Sequence, residues 1–353
     1  PLWSRGLGDV YKRQEWKKGS HILLTRNADY WQAGKPYLDE IVFHVIPDAA
    51  SRAVAFERGD VQVVSANDID SVDVARLKKV PGAQFTTQGW EMFSKLAYVQ
   101  MNYARPPFDN VKVRQAVMMA INRKFVVDNI FFGMGKIATG PVSSTTPFYD
   151  GNVPAYPFDI KKARALVKES GVDLAKTPVK ILSYPYGSAW DRLGEYTRQS
   201  LEQLGFKVEI ESADAGTWAK RVSDFDFDLT FSYTSQYGDP ALGVSRLYLT
   251  RNIVKGSAFV NNQGYRNAEM DTLWDQAASS TSAEERQKLY STIQKQLVHD
   301  VANGYLFEME IPTLYNGKVH NLIQSAIGLN DTFADVYICL LYTSDAADEG
   351  LGV

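Results

Sequence analysis

The stretch from Val179 to Tyr233 constrains the fold most, because three short apolar runs in it alternate with two helical ones. "VKILSY", "FKVEIES" and "DLTFSY" read as strands; "SAWDRLGEYTRQSLEQL" and "TWAKRVS" read as helices. Strands separated by crossovers of this length run parallel, so Val179–Tyr184, Phe206–Ser212 and Asp228–Tyr233 are expected side by side in one sheet with Ser188–Leu204 and Thr217–Ser223 packed on it. This is the pattern of an α/β protein.

The rest of the chain adds elements to that frame. His21–Arg26 and Glu40–Ile46 read as strands. Asp48 is expected to cap a helix that stops at Gly59, before a strand at Val61–Val64. "NDIDSVDVARLKKVPG" repeats the helical pattern, and Lys95–Asn102 is a buried strand. Asp109 is expected to cap a helix carrying Val113, Val117 and Ala120 on one face, followed by a second helix to about Phe132. Asp159 and Gly171 bracket another helix. Helices near Asn267–Ala278 and Ala283–Asp300 precede an extended "YLFEMEIPTLYN".

Both ends read as foreign. "SRGLGDVYKRQ", Ser4–Gln14, and "CLLYTSDAADE", Cys339–Glu349, back-translate codon for codon to the adapters and transposase mosaic ends of a sequencing library, in the correct orientations. Residues 1–14 and 338–353 are therefore expected to be adapter scars. The sole cysteine, Cys339, goes with them. A cysteine-free remainder suits an oxidising compartment. With 38 basic and 41 acidic residues the surface is near neutral, which gives no electrostatic reason to bind nucleic acid. No apolar run approaches the roughly 20 residues that cross a bilayer as a helix.

At "EWKKGSHILLTRNADYW", "KPYLDEIVFHVIPDAASRAVAFERGDVQVV", "MNYARPPFDNVKVRQAVMMAINRK", "QYGDP" and "NQGYRNAEMDTLWDQA" the chain resembles the family 5 extracytoplasmic solute-binding proteins of peptide-type ABC importers. The resemblance covers essentially all of Glu15–Tyr337. It implies an α/β, two-lobed fold of the type II periplasmic-binding-protein kind, with an incomplete lobe I and a complete lobe II. Residues 15–101 would be part of lobe I, 102–308 lobe II, and 309–337 the return into lobe I, with Lys95–Met101 and Ile311–Tyr315 as the crossing strands. The first part of lobe I and a signal segment would be missing. The implied function is to bind a peptide or peptide-like solute by hinge closure in the periplasm or another extracytoplasmic space, as a monomer, and to pass it to membrane permease subunits without catalysis. A sensor on the same fold shares these features.

Open α/β sheets bind ligands beyond the carboxyl ends of their parallel strands. Here those ends are "YPYGSAW" and "YTSQYGDP", so Tyr184, Tyr186, Tyr233, Ser235, Gln236 and Asp239 are the expected ligand-binding residues: aromatic walls with a few polar groups. Tyr186 and Tyr237 could instead pack, and Asp239 could instead cap the turn before Pro240. In peptide-binding members the resemblance implies an aspartate at Gln236, which pairs with the ligand's amino group, and a tryptophan at Ala215. A glutamine cannot neutralise an ammonium group, which argues against an ordinary di- or oligopeptide and for a modified peptide, an opine-like compound, an amino-sugar conjugate or a glycoside.

Enzymatic readings are weaker. Glu308 and Glu310 lie two apart in an extended run, ~6.6 Å along a strand, a spacing a peptide or glycan hydrolase could use. An exposed strand face near the hinge is the favoured explanation, and Asp226 and Asp228 fall to the same argument. "GMGKIATG" has dinucleotide-loop glycines but follows a helix and cannot open one, so a plain turn is expected. His21, His44, His299 and His320 are scattered, and neither a metal nor another cofactor is expected.

Overall fold

The computed structural model describes residues 10–65 and 68–339, and the chain divides into two compact units: residues up to Trp90 together with those from Ile311 onward, and Glu91–Glu310. The polypeptide passes between them twice.

In the first unit β1 (Tyr11–Lys17), β2 (His21–Arg26) and β3 (Glu40–His44) form an antiparallel meander. Tyr11–Gln14, read as adapter, continue β1 against β2; residues 1–9 and 340–353 of the expected scars lie outside the described residues. The helix α1 (Ala49–Arg58) starts where Asp48 accepts from Ser51 N at 2.7 Å and stops at Gly59, whose φ of 78° belongs to the left-handed region. Then come β4 (Val63–Ser65), α2 (Ser71–Leu77) and β5 (Ala83–Thr86).

The second unit follows with β6 (Leu96–Met101), α3 (Val111–Ala120), α4 (Arg123–Phe125), β7 (Gly135–Ile137), α5 (Ile160–Ser170), β8 (Val179–Leu182), α6 (Ser188–Glu202), β9 (Val208–Glu211), α7 (Ala215–Ser223), β10 (Leu229–Thr234), α8 (Pro240–Gly243), α9 (Ala268–Ser279), α10 (Ala283–Asp300) and β11 (Gly304–Met309). Its six-stranded sheet has the order β7-β11-β6-β10-β8-β9. As the alternating pattern implies, β9, β8 and β10 are parallel neighbours, whereas β6 runs antiparallel to both β10 and β11.

Every residue of β6 is buried, because the sheet has a core on each face. Ala97, Val99 and Met101 join the core under α3, α5, α6 and α7; Leu96 and Tyr98 join the one under α9 and α10. This central position puts β6 wholly in the second unit. The division falls between Trp90 and Glu91, about one strand earlier than the expected boundary after Met101, and the return falls after Glu310 instead of Glu308. The extended run at 305–316 is likewise two strands, broken at Pro312: β11 belongs to the second unit and β12 (Thr313–Asn316) to the first, between β4 and β5. A short pair, β13 (Val319–His320) and β14 (Tyr337–Ile338), follows.

Asn110, not Asp109, caps α3: its side chain accepts from Lys112 N at 2.9 Å, while the carbonyl of Asp109 accepts from the buried Arg114. "GMGKIATG" supplies the edge strand β7 beside β11. A Cβ on Gly135 would lie 2.7 Å from the Phe307 ring and 2.8 Å from the Glu308 carbonyl, so this glycine serves strand packing.

Candidate functional site

Because β8 and β10 are parallel, their carboxyl ends emerge together at one edge of the sheet. Beyond β8 the chain turns through Ser183–Gly187 into α6, with Gly187 at φ 108°. The turn carries Tyr184 into an aromatic cluster. Its ring centroid lies 4.6 Å from Tyr186, 4.8 Å from Trp190, 4.9 Å from Trp218 and 6.0 Å from Tyr233. Trp218 is fixed in turn: its indole N–H donates to Thr230 Oγ1 at 2.9 Å, and that hydroxyl donates to the Leu182 carbonyl at 2.7 Å.

The expected site residues therefore separate by depth. Tyr184 is only 1% exposed and forms the floor; burial raises its hydroxyl pKa well above the ordinary value. Tyr186, 36% exposed, and the half-buried Tyr233 present the reachable ring surface. Ser235 is buried just past β10.

Gln236 and Asp239 are engaged elsewhere. Gln236 is fully buried: its backbone N–H donates to Phe93 O at 2.7 Å, its amide donates to Pro141 O at 3.3 Å, and its Oε1 accepts from Ser143 N at 3.4 Å. Asp239 caps α8 by accepting from Ala241 N at 2.8 Å, and it pairs with Arg286. The capping alternative is thus the geometry observed for Asp239.

Sequence reading missed three contributors. Trp190 and Trp218 come to the cluster from helix faces, where an aromatic at core spacing looks like any other core residue. Lys95 precedes β6 and places Nζ 4.8 Å from the Tyr233 ring centroid. Burial lowers its pKa. Tyr237, 37% exposed and in the left-handed region at φ 55°, packs edge-on against Phe93 at 6.1 Å and lies under Arg246.

Of the carboxylates considered for catalysis, Glu308, Asp226 and Asp228 are held by neighbouring groups, and Glu310 is exposed. Glu308 accepts from Ser144 N at 3.0 Å and from Ser144 Oγ at 2.6 Å, and Lys136 donates to the same hydroxyl. Arg105 bridges Asp226 and Asp228 at 3.0 Å each. The strand ends carry aromatic surface, with the Lys95 ammonium over the Tyr233 ring.

Two α/β units joined by two chain crossings are the build of a two-lobed solute-binding protein. Residues 9–255 match the model of the family described as bacterial extracellular solute-binding proteins, family 5 Middle, and the chain belongs to that family. Heme-binding protein A of Haemophilus influenzae is 29% identical over 295 residues, 82% of this chain and 51% of that protein. Di/tripeptide-binding protein 1 of Pseudomonas aeruginosa is 27% identical over 325 residues, 90% of this chain and 58% of that protein. The oligopeptide-binding protein AppA of Bacillus subtilis, solved in complex with a nonapeptide, superimposes with a TM-score of 0.80 over 94% of this chain and 66% of its own, at 21% identity. The chain spans about half the length of the curated relatives it matches.

Proposed function

We propose that this chain belongs to the substrate-binding component of a bacterial ABC importer and holds a peptide or peptide-like solute against the platform of Tyr184, Tyr186 and Tyr233. The protein works in the periplasm or another extracytoplasmic space, as a monomer and without chemical turnover, and delivers the solute to permease subunits. The two units act as lobes that close by a hinge, and solute favours the closed state because only that state contacts it from both sides. A micromolar affinity, about −8 kcal/mol, is enough to shift a hinge equilibrium of a few kcal/mol.

The observation that carries this reading is the part-exposed pair Tyr186 and Tyr233, packed tilted and edge-on against a buried aromatic floor where two parallel strands end. Family membership and the peptide-binding relatives support the same conclusion. The test is a thermal-shift screen of the full-length protein against di- and oligopeptides, opines, amino-sugar conjugates and glycosides, followed by calorimetry on any compound that raises Tm. Binding of an intact solute that is recovered unchanged supports the reading; cleavage of the solute, or no shift across the panel, contradicts it.

A further inference from the structure

The loop that follows β10 folds back onto the end of that strand through Gly243, whose carbonyl accepts from Thr234 Oγ1 at 3.2 Å and from Arg246 Nε at 3.3 Å. Arg246 is thereby tied to the last residue of β10, at the carboxyl end that also carries Tyr233. Its backbone is held as well: Asn252 Nδ2 donates to Arg246 O at 3.1 Å, and Gln263 Nε2 donates to the neighbouring Leu247 O at 2.6 Å. The side chain is half-buried, with its guanidinium carbon 5.7 Å from the ring centroid of the part-exposed Tyr237.

This guanidinium differs from the others of its unit in how it is satisfied. The other buried or half-buried arginines there, Arg105, Arg114, Arg123, Arg198, Arg221 and Arg286, each place terminal nitrogens on a carboxylate or a carbonyl. Arg246 bonds within the protein through Nε, and among the described residues neither of its terminal nitrogens has an acceptor and no carboxylate pairs with it. Polar groups drawn partly out of water are nearly always hydrogen-bonded, because each bond left unmade costs free energy. The fork of terminal N–H groups matches a carboxylate through two parallel bonds, and its charge is not lost at any physiological pH. We infer that Arg246 is an anchoring residue of the solute site and selects solutes that carry a carboxylate. The inference rests on the carboxyl end of β10 being that site.

Matched probes test it. N-acetyl-alanyl-phenylalanine and its carboxamide differ only in the carboxylate; each is titrated calorimetrically into the full-length wild-type, Arg246→Gln and Arg246→Lys proteins. The wild type is expected to prefer the acid by about tenfold or more, the scale of a hydrogen bond to a charged group. Arg246→Gln is expected to bind acid and amide alike, with the affinity for the amide kept at the wild-type level, which separates a lost anion contact from a lost fold. Arg246→Lys is expected to restore part of the preference. Equal affinities in the wild type, as a guanidinium served by solvent would give, overturn the inference, as do a preference that survives in Arg246→Gln and binding of neither probe. A solute from the broader panel that binds regardless of its carboxylate removes the role of Arg246 alone and leaves the transport reading standing; a panel without any binder removes both.

Discussion

Arg286 Nη2 donates to both carboxylate oxygens of Asp239, at 2.9 and 2.7 Å, while the first of those oxygens also accepts from Ala241 N at the start of α8. Asp239 is thus a positioning residue for the loop after β10. Replacing it by alanine removes cap and ion pair together and is expected to cost about 1–2 kcal/mol, the usual scale of a lost N-cap with a part-buried pair. Asp239→Asn keeps the cap and is expected to cost less. Urea denaturation measures both, and solute affinity should change less than stability.

The same loop is pinned by Gly243. A Cβ there would lie 2.2 Å from Ser235 O and 2.3 Å from Gln236 O, both backbone atoms with little freedom to move. Gly243→Ala is expected to destabilise the protein by about 1–3 kcal/mol, as overpacking does. A Tm equal to wild type would show that the backbone approach is looser than described.

Tyr184 is a floor residue. Surrounded by Tyr186, Trp190, Trp218 and Tyr233, it should behave as core: Tyr184→Ala is expected to lose about 3–5 kcal/mol, in the range of large aromatic truncations. Chemical denaturation checks this, and Tyr184→Phe should stay close to wild type in packing.

Acid stability carries a signature at Glu211. Lys180 Nζ at 2.7 Å and Arg221 Nη2 at 2.8 Å flank its carboxylate, and the hydrogen bond from Lys180, then that from Arg221, lowers its pKa below the ordinary 4.5. A carboxyl depressed in the folded state stabilises above its unfolded pKa and loses that contribution as pH falls through the folded value. Wild-type urea midpoints should therefore drop on acidification below about pH 4.5, and Glu211→Gln should show a shallower drop. Parallel curves for the two proteins would contradict the pairing.

How much of this was legible in the sequence depends on how local the cause is. The order β8-α6-β9-α7-β10 was readable because the alternation of apolar and helical runs is written within a few residues. The boundary near residue 91 was not, since β6 belongs to the second unit only through pairing with strands more than a hundred residues away. The strand ends were found, yet their depth was hidden: nothing near Tyr184 or Tyr186 tells which ring turns inward. Gln236 is buried by Pro141, Ser143 and Phe93, partners that no local motif reveals. The Asn110 cap differs from the expected Asp109 by one residue, because either side chain could serve and only backbone geometry decides.

The most direct test of the aromatic platform is calorimetric titration of a solute found in the panel into wild-type, Tyr186→Ala, Tyr233→Ala and Glu308→Gln proteins. Each tyrosine substitution is expected to weaken binding by roughly tenfold or more, the scale of a lost aromatic contact, with Tyr186→Ala leaving Tm nearly unchanged and Glu308→Gln leaving affinity intact. Undiminished affinity in both tyrosine variants would place the solute elsewhere and contradict the platform as its binding surface.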